Sequence, residues 1–316
     1  MNKRSEVLWT FILLDSLTLN YNFIKVPTAN NWIKEFKWDL LEGLKLCNNR
    51  YCYSSRVESA LSIMRELINK GFIDSSDLVN RFSSELRITD HIRRYSIVTS
   101  EVIRHIRSGK PWYESVLNVL TRFNIPDDEA VVRSIPIPLF FNELKDVVLN
   151  TEHQAMATHI HPEVINASKA YAISLYLALN NYNHWDILEY LVNTRFIEDR
   201  VLKLKIRSIE GLINRKPRDV VRILNNNYLA ISTLTTALYC ICRSEADFID
   251  SILCSISLGG DVSGRAVIAS SLSAALKGLH NEFKSKIKEV DNYEYIEDLI
   301  KQFVLNRSYK HNIDIS

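Results

Sequence analysis

The hydrophobic positions of this chain recur at helical spacing along most of its length. Ala60, Leu61, Met64, Leu67 and Ile68 make one stripe, Val164, Ala167, Tyr171, Leu175 and Ala178 a second, and Phe248, Ile249, Ile252, Leu253 and Ile256 a third. Residues at these intervals share one face of a helix, so each stripe predicts an amphipathic helix docked on a core. Two segments depart from the pattern towards greater burial. The run Val7 to Leu14 is apolar apart from Thr10 and predicts a buried first helix. It ends at Asp15, is too short to cross a bilayer, and is followed by no small-residue cleavage site. The segment Ala266 to Leu279 is apolar or small on every side, which predicts a central helix touched all round, its Ser and Ala residues allowing close approach. Start signals agree with this reading. Asp74-Ser75-Ser76-Asp77 precedes Leu78, and Pro162 opens a helix after His161.

Composition narrows the fold class further. Average usage would give roughly 22 Gly and 16 Pro in a chain of this length, whereas the 316 residues contain 8 and 7. So few chain breakers count against turn-rich β-sandwiches and doubly wound sheets with Gly-rich loops, and the expected fold is all-α: a compact, single-domain helical bundle. Neither a fixed-period repeat nor a Pro/Gly/Ser-rich linker divides the chain. One domain is expected over residues 1–305, with a polar tail over 306–316. Lys plus Arg (39) nearly balance Asp plus Glu (37), so no global field calls for nucleic acid or an anionic membrane, and the expected partner is a protein or a small-molecule ligand. Five cysteines, odd in number and without paired CxxC spacing, give a reduced, cytoplasmic protein as the default, with a Cys47–Cys52 loop disulfide as the alternative.

Common catalytic signatures are absent: there is no Walker loop, no GxSxG, no HExxH and no dinucleotide fingerprint. Two local patterns stand at helix entrances. Thr158-His159-Ile160-His161-Pro162 places two histidines two residues apart, too few to hold a metal without a third ligand, so capping and positioning roles are preferred. Gly259-Gly260-Asp261 precedes the central helix, where the aspartate is expected to cap the helix and the glycines to allow a sharp approach.

Taken together, the patterns resemble the ADP-ribosylglycohydrolase family. GGDVSGRAVIASSLSAALKG (Gly259 to Gly278) is similar to the family's GGDTDTIAAIAGALAGAYYG. VVRSIPIPLFF (Val131 to Phe141) and THIHPEVINASKAYA (Thr158 to Ala172) resemble its AMR-x-x-P segment and TH-x-x-P helix entrance. LLDSLTLNYN (Leu13 to Asn22) resembles GDALGxxYE, and YSSRVESAL (Tyr53 to Leu61) resembles YTDDTQMAL. The resemblance implies the family's all-helical fold, whose active members remove ADP-ribose from protein side chains or related adducts with two magnesium ions. It places Asp15, Asn22, Ser54, Ser55, Arg56, Asp127, Asp128, Glu129, Thr158, His159, Gly259, Gly260, Asp261, Ser263, Gly264 and Arg265 at the family's cleft.

Several of these positions depart from the family pattern. Its Thr-Asp-Asp metal triplet is here Ser54, Ser55 and Arg56, and its Asp-x-Asp-Thr run keeps Asp261 but carries Ser263 and Gly264. Hard cations need several oxygen ligands, mostly carboxylates, and a guanidinium can neither ligate a cation nor lose its charge. No magnesium or other cofactor is therefore expected, and Asp261 is expected to pair with Arg56, Arg265 or both. Ser55 with Glu58 forms a capping box that needs no metal. Asn22 stands where the family has a glutamate, which removes a titrating group. Asp127-Asp128-Glu129 puts carboxylates where relatives offer backbone N–H groups to a diphosphate, so ADP-ribose is expected to bind weakly. The leading expectation is a non-catalytic binding or scaffold relative with no confident catalytic residue, Asp261 being a remnant. The alternative is an active hydrolase cleaving ADP-ribose from protein or a related N- or O-glycosidic bond. A scaffold predicts a cleft filled by side chains, and an enzyme predicts a polar, open cleft around Asp261 and His159.

Overall fold

The computed structural model describes residues 1–19, 32–37, 41, 43 and 45–313. These residues form α-helices and no strand. In order the helices are α1 (Lys3–Thr18), α2 (Ser55–Lys70), α3 (Ser75–Glu85), α4 (Ile97–Arg107), α5 (Trp112–Phe123), α6 (Glu129–Val132), α7 (Pro136–Phe140), α8 (Leu144–Met156) and α9 (Pro162–Leu179). There follow α10 (His184–Asn193), α11 (Arg200–Leu212), α12 (Pro217–Leu224), α13 (Ala230–Arg243), α14 (Phe248–Ser257), α15 (Val262–Lys277), α16 (Asn281–Lys284) and α17 (Tyr293–Ile313).

The central helix is α15. Every residue from Val262 to Ala275 is buried, and the helix is surrounded by α1, α9, α13 and α14, with α1 its most extensive neighbour. Its small residues let α1 approach, and α1 is itself buried from Val7 to Thr18. The two segments whose apolar pattern ran all round the helix thus pack on each other. The amphipathic stripes lie outside this pair. In α2, Val57, Ala60, Leu61, Met64 and Leu67 face the core, and Gly71 ends the helix at φ 83°. Asp74 caps α3 by accepting from Ser76 N and Asp77 N, and His161 Nδ1 caps α9 by accepting from Glu163 N at 3.2 Å, with Pro162 in its first turn.

Other local expectations differ. The capping serine of α2 is Ser54, not Ser55, and it accepts from Arg56 N. Glu58 does not close a capping box, because its carboxylate is held by Arg87 at 2.6 Å and by the Tyr95 hydroxyl. Cys47 bonds to Cys52 and Cys240 to Cys254, which ties α13 to α14 and leaves Cys242 buried and free; reduced thiols were the default expectation. The Cα pairs lie 5.4 and 5.5 Å apart, within disulfide range. α17 runs to Ile313, past position 306 where the sequence placed the start of a tail. No helix among the described residues is long and apolar enough to cross a membrane.

Candidate functional site

Three helix starts meet at one place. Ser54, Asp128 and Asp261 occupy the residue before α2, α6 and α15 respectively. Only Ser54 caps its own helix; the Asp128 and Asp261 side chains make no capping bond, contrary to the expectation for Asp261. Both carboxylates turn instead to Arg56, the second residue of α2. Arg56 Nη2 donates to Asp128 Oδ1 at 2.7 Å and to Asp261 Oδ2 at 3.2 Å, and Nη1 donates to Ser263 Oγ at 3.3 Å. A cation is unfavourable at a helix N-terminus, so the two aspartates offset both the dipole and the desolvation of the guanidinium. Burial alone would lower the Arg56 pKa, but Asp128, Asp261 and Asp15 together hold it above its ordinary value. Burial, reinforced by the adjoining Asp261 carboxylate, pushes Asp128 well above the usual carboxylate range against the pull of Arg56.

Asp15, from the last turn of α1, buttresses this arrangement. Its Oδ2 accepts from Ser54 N at 2.6 Å and its Oδ1 from Ser54 Oγ at 2.7 Å, while burial raises its pKa. Asn22 lies outside the described residues. Gly260 has φ 68°, and a Cβ there would stand 2.0 Å from the carbonyl of Asn226, which accepts from Asp261 N at 2.8 Å. Backbone proximity therefore explains this glycine and fixes the start of α15.

Arg265 is not a partner of Asp261. It points to the other side of α15, donating to Ser255 O at 2.7 Å, Gly259 O at 2.8 Å and Thr236 Oγ1 at 2.9 Å. There it satisfies carbonyls at the C-terminal end of α14, the pole that favours a cation. Complete burial lowers its pKa to about 10.

The third group is Asp127-Asp128-Glu129. Asp127 Oδ1 accepts from Glu129 N and from His159 Nε2, both at 3.1 Å, and Glu129 Oε2 accepts from Ser96 N at 2.8 Å. Burial would raise the Asp127 pKa, but His159, the Glu129 N–H and Ser96 together more than offset it and the pKa is lowered. An ionised Asp127 can only accept, so His159 carries a proton on Nε2; in the neutral ring Nδ1 then accepts from the Thr158 hydroxyl, 2.7 Å away. Arg133 Nη2 donates to Thr158 Oγ1 at 2.7 Å, completing a chain of donors that ends on Asp127. Burial lowers the Arg133 pKa to about 10. Thr158 and His159 are thus placed behind Asp127 and do not line the cleft, where a cleft histidine was expected.

Above these groups lies a cleft of about 410 Å³, lined by Ser54, Ser55, Arg56, Asp127, Asp128, Glu129 and Asp261 at its base. The remainder of its lining, Leu19, Arg94, Ser96, Ile97, Ile125 and Tyr228, drew no attention in the sequence because it comes from segments with ordinary helix and loop patterns. Among the described residues the cleft is open, and not filled by side chains as a scaffold predicted. Two backbone donors of the acidic segment are already taken. Asp128 N donates to Tyr228 O at 3.0 Å and Glu129 N is taken by Asp127.

An all-helical fold with a polar cleft at converging helix starts defines the class, and comparison with known proteins gives the family. The sequence profile described as ADP-ribosylglycohydrolase matches residues 15–312, and the chain belongs to that family. Over 207 residues it is 25% identical to "ADP-ribosylarginine hydrolase Tri1" of Serratia proteamaculans, covering 63% of this chain and 50% of that protein, so the match spans half the length of Tri1. It is 23% identical over 275 residues to "ADP-ribosylhydrolase ARH3" of Bos taurus, covering 77% and 75%. A solved structure titled "ADP-ribosylglycohydrolase-related protein complex" shares the fold at TM-score 0.68 and 18% identity, covering 96% of this chain and 99% of that one.

The site does not fit the two divalent cations that the family resemblance implies. The guanidinium of Arg56 bonds to both Asp128 and Asp261, Asp261 being the one carboxylate kept from the resemblance's metal runs, and Ser54 and Ser55 supply no anionic oxygen. No three His, Cys, Asp or Glu side chains among the described residues are grouped so as to hold one ion.

Proposed function

We propose that this chain is a non-catalytic, ligand-binding member of the ADP-ribosylglycohydrolase family, in which an internal guanidinium stands in for the metal ions of active relatives. The observation that carries the reading is Arg56 Nη2 bonded to both Asp128 and Asp261. Cleavage of an ADP-ribosyl bond requires stabilised charge, an activated water and a group that moves protons. Arg56 supplies fixed charge but cannot take up a proton. Asp127 is tied to His159, and Asp128 and Asp261 are tied to Arg56. The open cleft favours ligand binding over a purely structural scaffold.

The same openness supports a second reading, a metal-independent hydrolase of ADP-ribosyl or related glycosidic bonds that uses Asp127 or Glu129. The names of Tri1 and ARH3 point the same way for those proteins. Release of ADP-ribose from arginine- or serine-modified protein, measured with and without magnesium, separates the two. Binding without catalysis predicts release equal to buffer. Turnover by the wild-type chain that disappears in Asp127→Asn or Glu129→Gln would refute it and establish the hydrolase.

A further inference from the structure

A second groove shares no lining residue with the cleft. It has a volume of about 1170 Å³ and runs between segment 32–37, the turn from α11 to α12, the C-terminal end of α13, and α14. Its cations are Lys34, Lys37, Arg215, Lys216 and Arg243, opposed by two carboxylates, Glu35 and Asp250. That local excess of three is larger than the net charge of +2 on the entire chain, so the positive field is concentrated in the groove. Lys34, Lys37, Arg215 and Lys216 are exposed, and among the described residues none of the four forms an ion pair. The walls are held in place from within. The Arg243 guanidinium stands 4.0 Å over the Trp32 ring while its Nη1 donates to Ile213 O at 2.6 Å, Ile33 N donates to Ser257 Oγ at 3.1 Å, and Cys240–Cys254 ties α13 to α14. A groove fixed before its partner arrives loses little ordering entropy on binding.

We propose that this groove docks an acidic, extended segment of a partner protein, its carboxylates on Lys34, Lys37, Arg215 and Lys216 and its aliphatic side chains on Ile33 and Leu253. Charge complementarity selects an anionic partner. The volume exceeds the roughly 300 to 1,000 Å³ of a typical small-ligand pocket, which favours a length of chain over a compact metabolite. A single-stranded nucleic acid needs aromatic faces for its bases, whereas Trp32 is the one aromatic among the described lining residues and Arg243 already lies over its ring. Exposed charge pairs are individually weak, so affinity requires several at once, and cations on two facing walls allow that.

The test is fluorescence anisotropy of a labelled peptide of about 12 residues, rich in Glu and Asp with interspersed Leu, titrated with the full chain at about 0.15 M salt, where loose surface pairing is largely screened. The expected result is a dissociation constant below about 100 μM, weakened about tenfold or more both in Arg215→Glu with Lys216→Glu and in Lys34→Glu with Lys37→Glu. Lys110→Glu with Arg122→Glu makes the same change in net charge at exposed positions outside the groove and should leave the affinity within about twofold of wild type. All six positions are exposed, so the circular dichroism spectra should match that of the wild type, and the two groove variants test the walls separately. No binding at about 0.5 mM protein, an equal loss in the control variant, or tighter binding of a thymidine oligonucleotide of the same charge through the same lysines and arginines overturns the proposal. None of these readouts depends on ADP-ribose release, so the groove and the reading of the cleft stand or fall separately.

Discussion

A Cβ placed on Gly264 would stand 2.3 Å from Asp128 Oδ2 and 3.2 Å from Arg56 Nη2. The absence of a side chain at position 264 is therefore part of the ion pair: it provides the space in which Asp128 turns from its own helix start and meets the guanidinium. In the family pattern a threonine stands at this position, so the arginine and the glycine are mutually fitted departures. The resulting cluster is compact and sets one guanidinium against two short aspartates.

Gly264→Ala should consequently act through Asp128. The new methyl must push the carboxylate away from Arg56 and from Thr233 Oγ1, which donates to it at 2.9 Å. Overpacking of this kind costs about 1 to 3 kcal/mol. A lower urea midpoint with an unchanged slope checks this, and an unchanged midpoint would show that Asp128 accommodates the methyl without losing its partners.

Arg56→Ala should be the more damaging change, because it leaves Asp128 and Asp261 buried beside each other without a cation. Removing one partner of a buried pair typically costs about 3 to 5 kcal/mol. Asp261→Ala should cost less, since Arg56 keeps its shorter contact with Asp128. Equilibrium unfolding of the two variants gives the ranking, and the reverse order would contradict this distribution of charge.

The Asp127–His159 contact predicts a pH dependence with a definite sign. The folded Asp127 pKa lies below its unfolded value of about 3.9, so its contribution is fully present above about pH 4 and is lost as pH falls through the folded value. His159→Gln removes the largest of the groups that lower it. The destabilisation should be largest near neutral pH and shrink on acidification below about pH 4. Denaturation of both proteins at several pH values tests this, and a difference independent of pH would count against it.

The fold was legible because burial leaves a periodic trace. The all-round apolar pattern of Ala266 to Leu279 foretold the buried α15, and Asp74 and Pro162 marked helix starts correctly. The position of Arg56 beside Asp261 was legible only through the family resemblance, which put both at one cleft and left Arg265 as an equal candidate. What a long or turned side chain reaches was less so. Arg265 follows Gly264 directly in the sequence, yet the helical rotation of one residue sends it to the end of α14 and away from the cleft. Asp261 reads as a cap because caps are common, and only the reach of Arg56 to the start of α15 shows its carboxylate drawn elsewhere. Ser54 rather than Ser55 caps α2 because Asp15, distant in sequence, fixes its backbone and hydroxyl. The cleft's upper wall, from Ile97 to Tyr228, had no local signal at all.

Whether a guanidinium has replaced the cation is decided most directly by calorimetric titration of the wild-type chain with magnesium. Arg56, held by Asp128 and Asp261, predicts no binding heat beyond dilution at concentrations up to about 10 mM, which means any affinity is weaker than about −3 kcal/mol. A saturable site of about 1 μM, near −8 kcal/mol, would contradict the account.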